Sequence, residues 1–280
     1  MHEAARAKIN LFLHVGRRRA DGYHELESLV AFTDAGDVLT FAPAETLSLA
    51  IDGQFASSLQ NEPDNLVLKA ARALAAHAGV EPRAKITLTK NLPIASGIGG
   101  GSADAAAALR GLCKLWNLSP SPDDLNEIAL SLGSDVPVCL VSKSAWMTGR
   151  GEHIAPMSLP RIPMVLVNPG VPVSTAEVFA NLHSRTGVGA PKPDAIHSTD
   201  ELIAYLKTTA NDLEAPARAI APVIEEALTA LLNCGALLAR MSGSGATCFG
   251  IFEDDAKAGA AANIIAKAHS GWWVKAAQSI

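Results

Sequence analysis

The chain has 280 residues, 49% of them apolar, enough to bury a substantial core in one large or two medium domains, and two lobes are expected. Its 23 basic and 28 acidic residues leave a net charge of −5, which argues against a nucleic-acid footprint or a basic membrane-binding surface and points to small-molecule partners. No apolar run approaches the roughly 20 residues that span a bilayer, and no basic start with an apolar signal core precedes the first strand-like segment, so a cytoplasmic protein is expected.

Apolar residues fall at every second position from Ile9 to Val15, the period of a strand with one buried face, and Lys8, Asn10, Phe12 and His14 share the other face. Strand-like runs follow at Glu25–Phe32, Asp37–Ala42, Leu47–Ile51 and Lys85–Lys90. An amphipathic helix over Asn65–Ala78, with Asp64 as its expected N-cap, separates the last two. The alanine- and leucine-rich stretch Ala103–Trp116 predicts a buried helix. Ser121, Pro122 and Asp124 supply a cap, a first-turn proline and an early acid for another helix near Asp124–Leu132.

Prolines 156, 160 and 163 interrupt the pattern, and a lobe boundary is expected near Ser158, dividing 1–157 from 158–280. Beyond it the pattern predicts a strand at Met164–Asn168, a helix at Thr175–Leu182, a loop over Ser184–Ser198, and helices near Thr199–Lys207 and Pro216–Leu232. Leu237–Met241 and Thr247–Phe252 read as strands around a tight turn of small residues. The fold class is α+β, without the regular alternation of a doubly wound sheet. Cys113, Cys139, Cys234 and Cys248 form no C-x-x-C pair and are read as buried reduced thiols, and no metal-ligand set is assigned.

The segment PIASGIGGGSAD, Pro93–Asp104, follows a strand and leads into a helix. Gly97, Gly99, Gly100 and Gly101 permit positive φ and let backbone N–H groups approach an anion without β-carbon obstruction. Ser102 and Ala103 would stand at the helix N-terminus, where unpaired N–H groups and the dipole favour phosphate. The loop lacks the G-K-[ST] ending of a Walker A motif and has Ser102 where G-x-G-x-x-G needs its last glycine. Physics leaves the nucleotide's identity open.

This loop resembles the middle motif of the GHMP family of small-molecule kinases, Pro-x-x-x-Gly-Leu-Gly-x-Gly-Ser-Ser, with Ile98 in place of Leu and Ala103 in place of the second Ser. The family's C-terminal glycine motif is matched by MSGSGAT, Met241–Thr247. ARAKINLFLHV, ADGYHELESL, GSDVP at 133–137, GRGE at 149–152 and NDLE at 211–214 follow in the family's order. They are similar to the branch whose acceptor is 4-diphosphocytidyl-2-C-methyl-D-erythritol, in non-mevalonate isoprenoid biosynthesis.

The resemblance implies a two-lobed fold with the active site in the cleft between lobes, ATP as co-substrate, and transfer to the tertiary C2 hydroxyl of that acceptor. It implies ATP binding by Pro93, Ile94, Ala95, Ser96, Gly97, Ile98, Gly99, Gly100, Gly101, Ser102 and Ala103. It implies catalysis by Asp135, acting on the substrate hydroxyl, and Lys8 beside it; two roles stay open for Asp135, acceptor of the hydroxyl proton and positioning group for the alcohol. Taken singly, Asp135 reads as a turn aspartate before Pro137, and Lys8 as a solvated charge on a strand. Tyr23 and His24 resemble the family's cytosine clamp, and Asn10 and Thr175 are the other candidate substrate contacts. NDLE reads as a simple helix cap and is left out of the site. Mg²⁺ is expected to offset phosphate charge while resting on ATP and water, because no set of acidic ligands is evident. Two rivals remain: a GHMP kinase acting on homoserine or a mevalonate-type acceptor, against which Tyr23-His24 argues, and a non-catalytic ligand sensor, against which Lys8 with Asp135 argues. The sequence carries no signal for an oligomeric state.

Overall fold

The computed structural model describes residues 1–59 and 65–280. In chain order the regular elements are β1 (His2–Arg18), β2 (His24–Ala42), β3 (Ser48–Asp52), α1 (Leu66–Ala78), β4 (Lys85–Thr89), α2 (Gly100–Leu115), α3 (Pro122–Leu132), α4 (Val136–Val141), β5 (Ala145–Gly149) and β6 (His153–Pro156). They continue with β7 (Pro163–Asn168), α5 (Thr175–Ala180), α6 (Thr199–Leu206), α7 (Glu214–Ile220), α8 (Val223–Asn233), β8 (Leu238–Met241), β9 (Cys248–Ile251), α9 (Asp255–Ala268) and β10 (Trp273–Gln278). The mixture is α+β, as expected.

Contacts divide the chain into two compact units, and neither is one continuous stretch. The first comprises Met1–Ala7, Gly36–Ile94 and Gly99–Ser142; the second comprises Lys8–Ala35, Ala95–Ile98 and Lys143–Ile280. In the first, β3 pairs parallel to β4, and β4 pairs antiparallel to the Val38–Ala42 end of β2. Helices α1, α3 and α4 all pack on α2. The buried run Ala105–Ala108 gives α2 small side chains on several sides at once, which suits a helix surrounded by others. Asn65 caps α1 by accepting from Val67 N–H, while Asp64, the expected cap, lies outside the described residues. Ser121 and Asp124 close a reciprocal capping box on α3.

In the second unit, the Leu26–Val30 end of β2 pairs antiparallel with β5, and β5 with β6. A separate antiparallel sheet runs β10–β7–β9–β8. Every residue of β7 is buried, and Val165 and Val167 join a core with Ile224, Leu228 and Leu231 of α8 and Ala258, Ala261 and Ile265 of α9.

Several elements differ from the sequence expectations for physical reasons. Residues Lys8–Gly16 of β1 are buried on both faces, including Phe12 and His14, so the alternation there marks residue type and not exposure. The two runs expected at 25–32 and 37–42 are one strand. Its apparent break at Gly36 is a close approach, because a β-carbon there would sit 2.5 Å from the Ala5 carbonyl oxygen. The helix expected over Pro216–Leu232 is two helices, since Pro222 has no N–H and stops the first. Cys139 and Cys248 are buried, but Cys113 and Cys234 are only half-buried, and all four are unbridged thiols. Among the described residues no helix is long and apolar enough to cross a membrane.

Gly111 of α2 faces Phe41 so closely that an added β-carbon would lie 2.3 Å from the ring. Gly111→Ala is expected to lower the thermal unfolding midpoint, with a loss of about 1–3 kcal/mol from overpacking, measured by circular dichroism against wild type.

Candidate active site

In the second unit, two glycine-rich segments meet backbone to backbone. A β-carbon on Gly97 would stand 2.4 Å from the Ser242 carbonyl oxygen, and one on Gly243 would stand 2.6 Å from the Gly97 carbonyl oxygen. Both glycines have positive φ, +76° and +56°, so this packing needs glycine for conformation as well as for space. Ser242 ties the approach together: its hydroxyl donates to the Gly97 carbonyl at 3.0 Å and accepts from the Asn10 N–H at 3.0 Å. Thr247 N–H donates to Ser96 O, and Lys8 N–H donates to Ile98 O. The strand that carries Lys8 and Asn10 is therefore registered against the first glycine loop by the main-chain bond from Lys8 and against the second turn by the Asn10–Ser242 bond.

Asn211, which the sequence reading left out, holds the second turn. Its side-chain amide donates to the carbonyls of Met241 and Gly243, each at 2.8 Å, while its Oδ1 accepts from Leu213 N–H. Glu214 adds a bond by accepting from Met241 N–H. The simple helix-cap reading of NDLE does not hold, because the N-cap of α7 is Leu213 and no side chain caps that helix; Asn211 instead clamps the turn some thirty residues away. Thr175 stands beside the same turn, its hydroxyl hydrogen-bonded to that of Ser244 at 2.7 Å.

Lys8 is only 3% exposed, which excludes the solvated-charge reading. Asn10 is also buried, and its side-chain amide donates to Ser28 Oγ. Tyr23 is 52% exposed, with the Arg150 guanidinium 5.4 Å from its ring centroid. His24 lies flat on Phe179, the ring centroids 5.2 Å apart and the planes 15° from parallel. Burial, then the cations of Arg185 and Arg18, hold the His24 imidazole below its ordinary range. At neutral pH that ring offers one donor and one acceptor nitrogen. Phe179 carried no sequence signal beyond an apolar position on a short helix.

In the first unit, α2 begins at Gly100, three residues before the expected start, so Gly100, Gly101 and Ser102 belong to its first turn. The N-cap is Gly99 at φ +64°, with no capping side chain, and the first-turn N–H groups have no intrahelical carbonyl to bond. Gly101 is exposed and Gly100 buried, so the turn opens on one side. Pro93 is buried and Ile94 exposed where the chain enters the loop, and Ala95 has the positive φ of +49°.

Behind that turn lies a buried ionic cluster. Lys90 Nζ donates to Asp37 Oδ2 at 2.5 Å and to Asp104 Oδ2 at 2.6 Å, and all three residues are at most 3% exposed. Burial pushes the Asp104 carboxyl up to about 7, with Lys90 pulling down and Asp37 pushing up. Burial pulls Lys90 down, but Asp104 and Asp37 outweigh it and raise the ammonium above its ordinary range. Asp104 is thus committed to Lys90.

Asp135, also in the first unit, is half-buried at the N-cap position of α4, but its side chain makes no capping hydrogen bond, unlike Ser121 of α3. Among the described residues no group of three or more His, Cys, Asp or Glu is arranged to hold a metal ion.

Ser242→Ala removes an acceptor from the buried Asn10 N–H and a donor from Gly97 O. A loss of about 1–3 kcal/mol is expected in denaturant unfolding, the cost of stranding a buried polar group.

Residues 65–143 match the model for the GHMP kinases N terminal domain, and residues 194–271 match that for the GHMP kinases C terminal region. The chain is 53% identical to a 4-diphosphocytidyl-2-C-methyl-D-erythritol kinase of Parvibaculum lavamentivorans over 98% of this chain and 96% of that one. It is 51% identical to the kinase of the same name from Bradyrhizobium diazoefficiens, over 98% and 96%. A crystal structure of 4-(cytidine 5'-diphospho)-2C-methyl-D-erythritol kinase superposes with a TM-score of 0.79 at 32% identity, covering all of both chains. The L. major mevalonate kinase, solved with R-mevalonate, superposes at 0.70 but is 17% identical and shares the fold alone, over 100% of this chain and 95% of that one.

Proposed function

This chain belongs to the GHMP kinases and, within them, to the 4-diphosphocytidyl-2-C-methyl-D-erythritol kinases, and from that premise we propose that it transfers the γ-phosphoryl of ATP to the C2 hydroxyl of 4-diphosphocytidyl-2-C-methyl-D-erythritol. The observation that carries the choice of acceptor is the flat stack of His24 on Phe179 beside the exposed Tyr23 ring. Aromatic faces suit a nucleobase, and the neutral imidazole supplies hydrogen bonds to a base edge.

ATP is the co-substrate, and its phosphates are assigned to the first turn of α2, where Gly100, Gly101 and Ser102 present unpaired N–H groups. Phosphoryl transfer asks mainly for positioning and charge stabilisation. Asp135 takes the role of proton acceptor and alcohol orienter, supported by its half-buried place at the N-cap position of α4 within the GSDVP motif. Lys8 takes the role of the cation that offsets charge on the transferring group, supported by its burial on a strand fixed by main-chain bonds. When bound with ATP, Mg²⁺ would neutralise charge on the phosphates. Ser102 is its candidate protein ligand, since Asp104 is held by Lys90 and no acidic cluster replaces it among the described residues.

The test is ADP release by purified protein with ATP and Mg²⁺, offering the cytidyl acceptor, homoserine and mevalonate in turn. Turnover is expected with the cytidyl acceptor only. Asp135→Ala is expected to lower kcat by about 10²–10⁴-fold, and Tyr23→Ala to raise KM for the acceptor by about 5–100-fold, the worth of one stacked base. Turnover of homoserine or mevalonate would overturn the acceptor assignment, and ATP binding without turnover of any acceptor would favour a ligand sensor.

A further inference from the structure

The buried cluster of Lys90, Asp37 and Asp104 has more carboxylate than one ammonium neutralises. Asp104 Oδ1 has no hydrogen-bond partner among the described residues. A half-satisfied buried ionic network is a poor source of stability, since well-packed apolar side chains commonly do as well. Its geometry suggests a different use. Asp37 Oδ1 accepts from the N–H groups of both Asn91 and Leu92, at 2.6 Å and 2.8 Å, immediately before Pro93. Lys90 is the residue before these, and it reaches Asp104 on the second turn of α2. A β-carbon on Gly100 would lie 3.3 Å from Lys90 Nζ, so the ammonium also lies directly under the first turn.

We propose that Lys90, Asp37 and Asp104 form a staple joining the two ends of the glycine loop, and that this staple positions the first turn of α2 for the triphosphate of ATP. The proposal rests on assigning that turn to the phosphates. Without the tie, the chain between Leu92 and Gly100, with its positive-φ residues Ala95, Gly97 and Gly99, has a large set of alternative paths. With it, the strand end and the helix start are fixed to one buried point, and the N–H groups are held before ATP arrives. The three are positioning residues, since the structure buries them behind the backbone that would touch phosphate.

The decisive comparison is of KM values, which do not depend on the fraction of enzyme that folds. Asp104→Ala keeps the neutral Lys90–Asp37 pair and suits the alanine-rich helix, but cuts the tie to α2. It is expected to raise KM for ATP by about tenfold or more while KM for the cytidyl acceptor stays within about twofold. Asp104→Asn, which keeps an acceptor for Lys90, is expected to restore KM for ATP to within about threefold of wild type. If Asp104→Ala fails to fold, Asp104→Ser replaces it in the same comparison. An unchanged KM for ATP in the folded variant, or both KM values rising together, would overturn the staple. Gly101→Ala separates the underlying assignment, because its methyl would meet only Leu66 Cδ1, at 3.6 Å, yet would crowd a phosphate. If Gly101→Ala raises KM for ATP and Asp104→Ala does not, the staple alone is wrong. If neither raises it, the phosphate assignment of the turn fails, and the staple with it.

Discussion

Gly97 and Gly243 pack so closely that a single β-carbon on either would fall within 2.6 Å of a carbonyl oxygen. This backbone contact organises the second unit around it. Ser242 can bridge Gly97 O and Asn10 N–H only because the two turns touch, and Asn211 then pins the second turn from outside. The consequence for chemistry is a buried lysine on a strand whose register is set locally. Lys8 N–H bonds Ile98 O two residues before the Asn10 bond, so its placement follows from main-chain geometry and not from side-chain packing alone.

The first unit solves a different problem, that of presenting helix N–H groups to solvent without collapsing the loop that precedes them. A helix whose N-cap is glycine forgoes the stabilisation that a Ser or Asp cap supplies, as Ser121 does for α3. That open end is the feature an anion can use. The weight of holding the helix in place passes to its buried alanine face and to the ion cluster behind it. Stability and function are thereby separated, with the ligand-facing turn left unsatisfied and the far face packed.

Much of this was legible in the sequence where local chemistry decides it. The strand–glycine–helix order, the capping box at Ser121 and the loop over Ser184–Ser198 all follow from residue type at short range. The contacts that join distant segments were not legible. The role of Asp104 was hidden because Lys90 lies 14 residues before it and Asp37 lies 53 residues before Lys90. Phe179 was one apolar residue in a short helix until the fold laid it on His24. Helix α4 was hidden because Pro137 reads as a breaker, although a proline in the first turn costs no hydrogen bond. The gap left between the runs at 25–32 and 37–42 includes Gly36, whose role is to admit a neighbouring backbone.

The central claim is that the first-turn N–H groups of α2 bind the phosphates of ATP. Amide NMR of the isotopically labelled protein, titrated with a non-hydrolysable ATP analogue and separately with adenosine, tests it most directly. The account predicts that the Gly100, Gly101 and Ser102 resonances move with the ATP analogue and stay in place with adenosine. Resonances that stay in place with the bound analogue, while shifts cluster elsewhere on the chain, would contradict it.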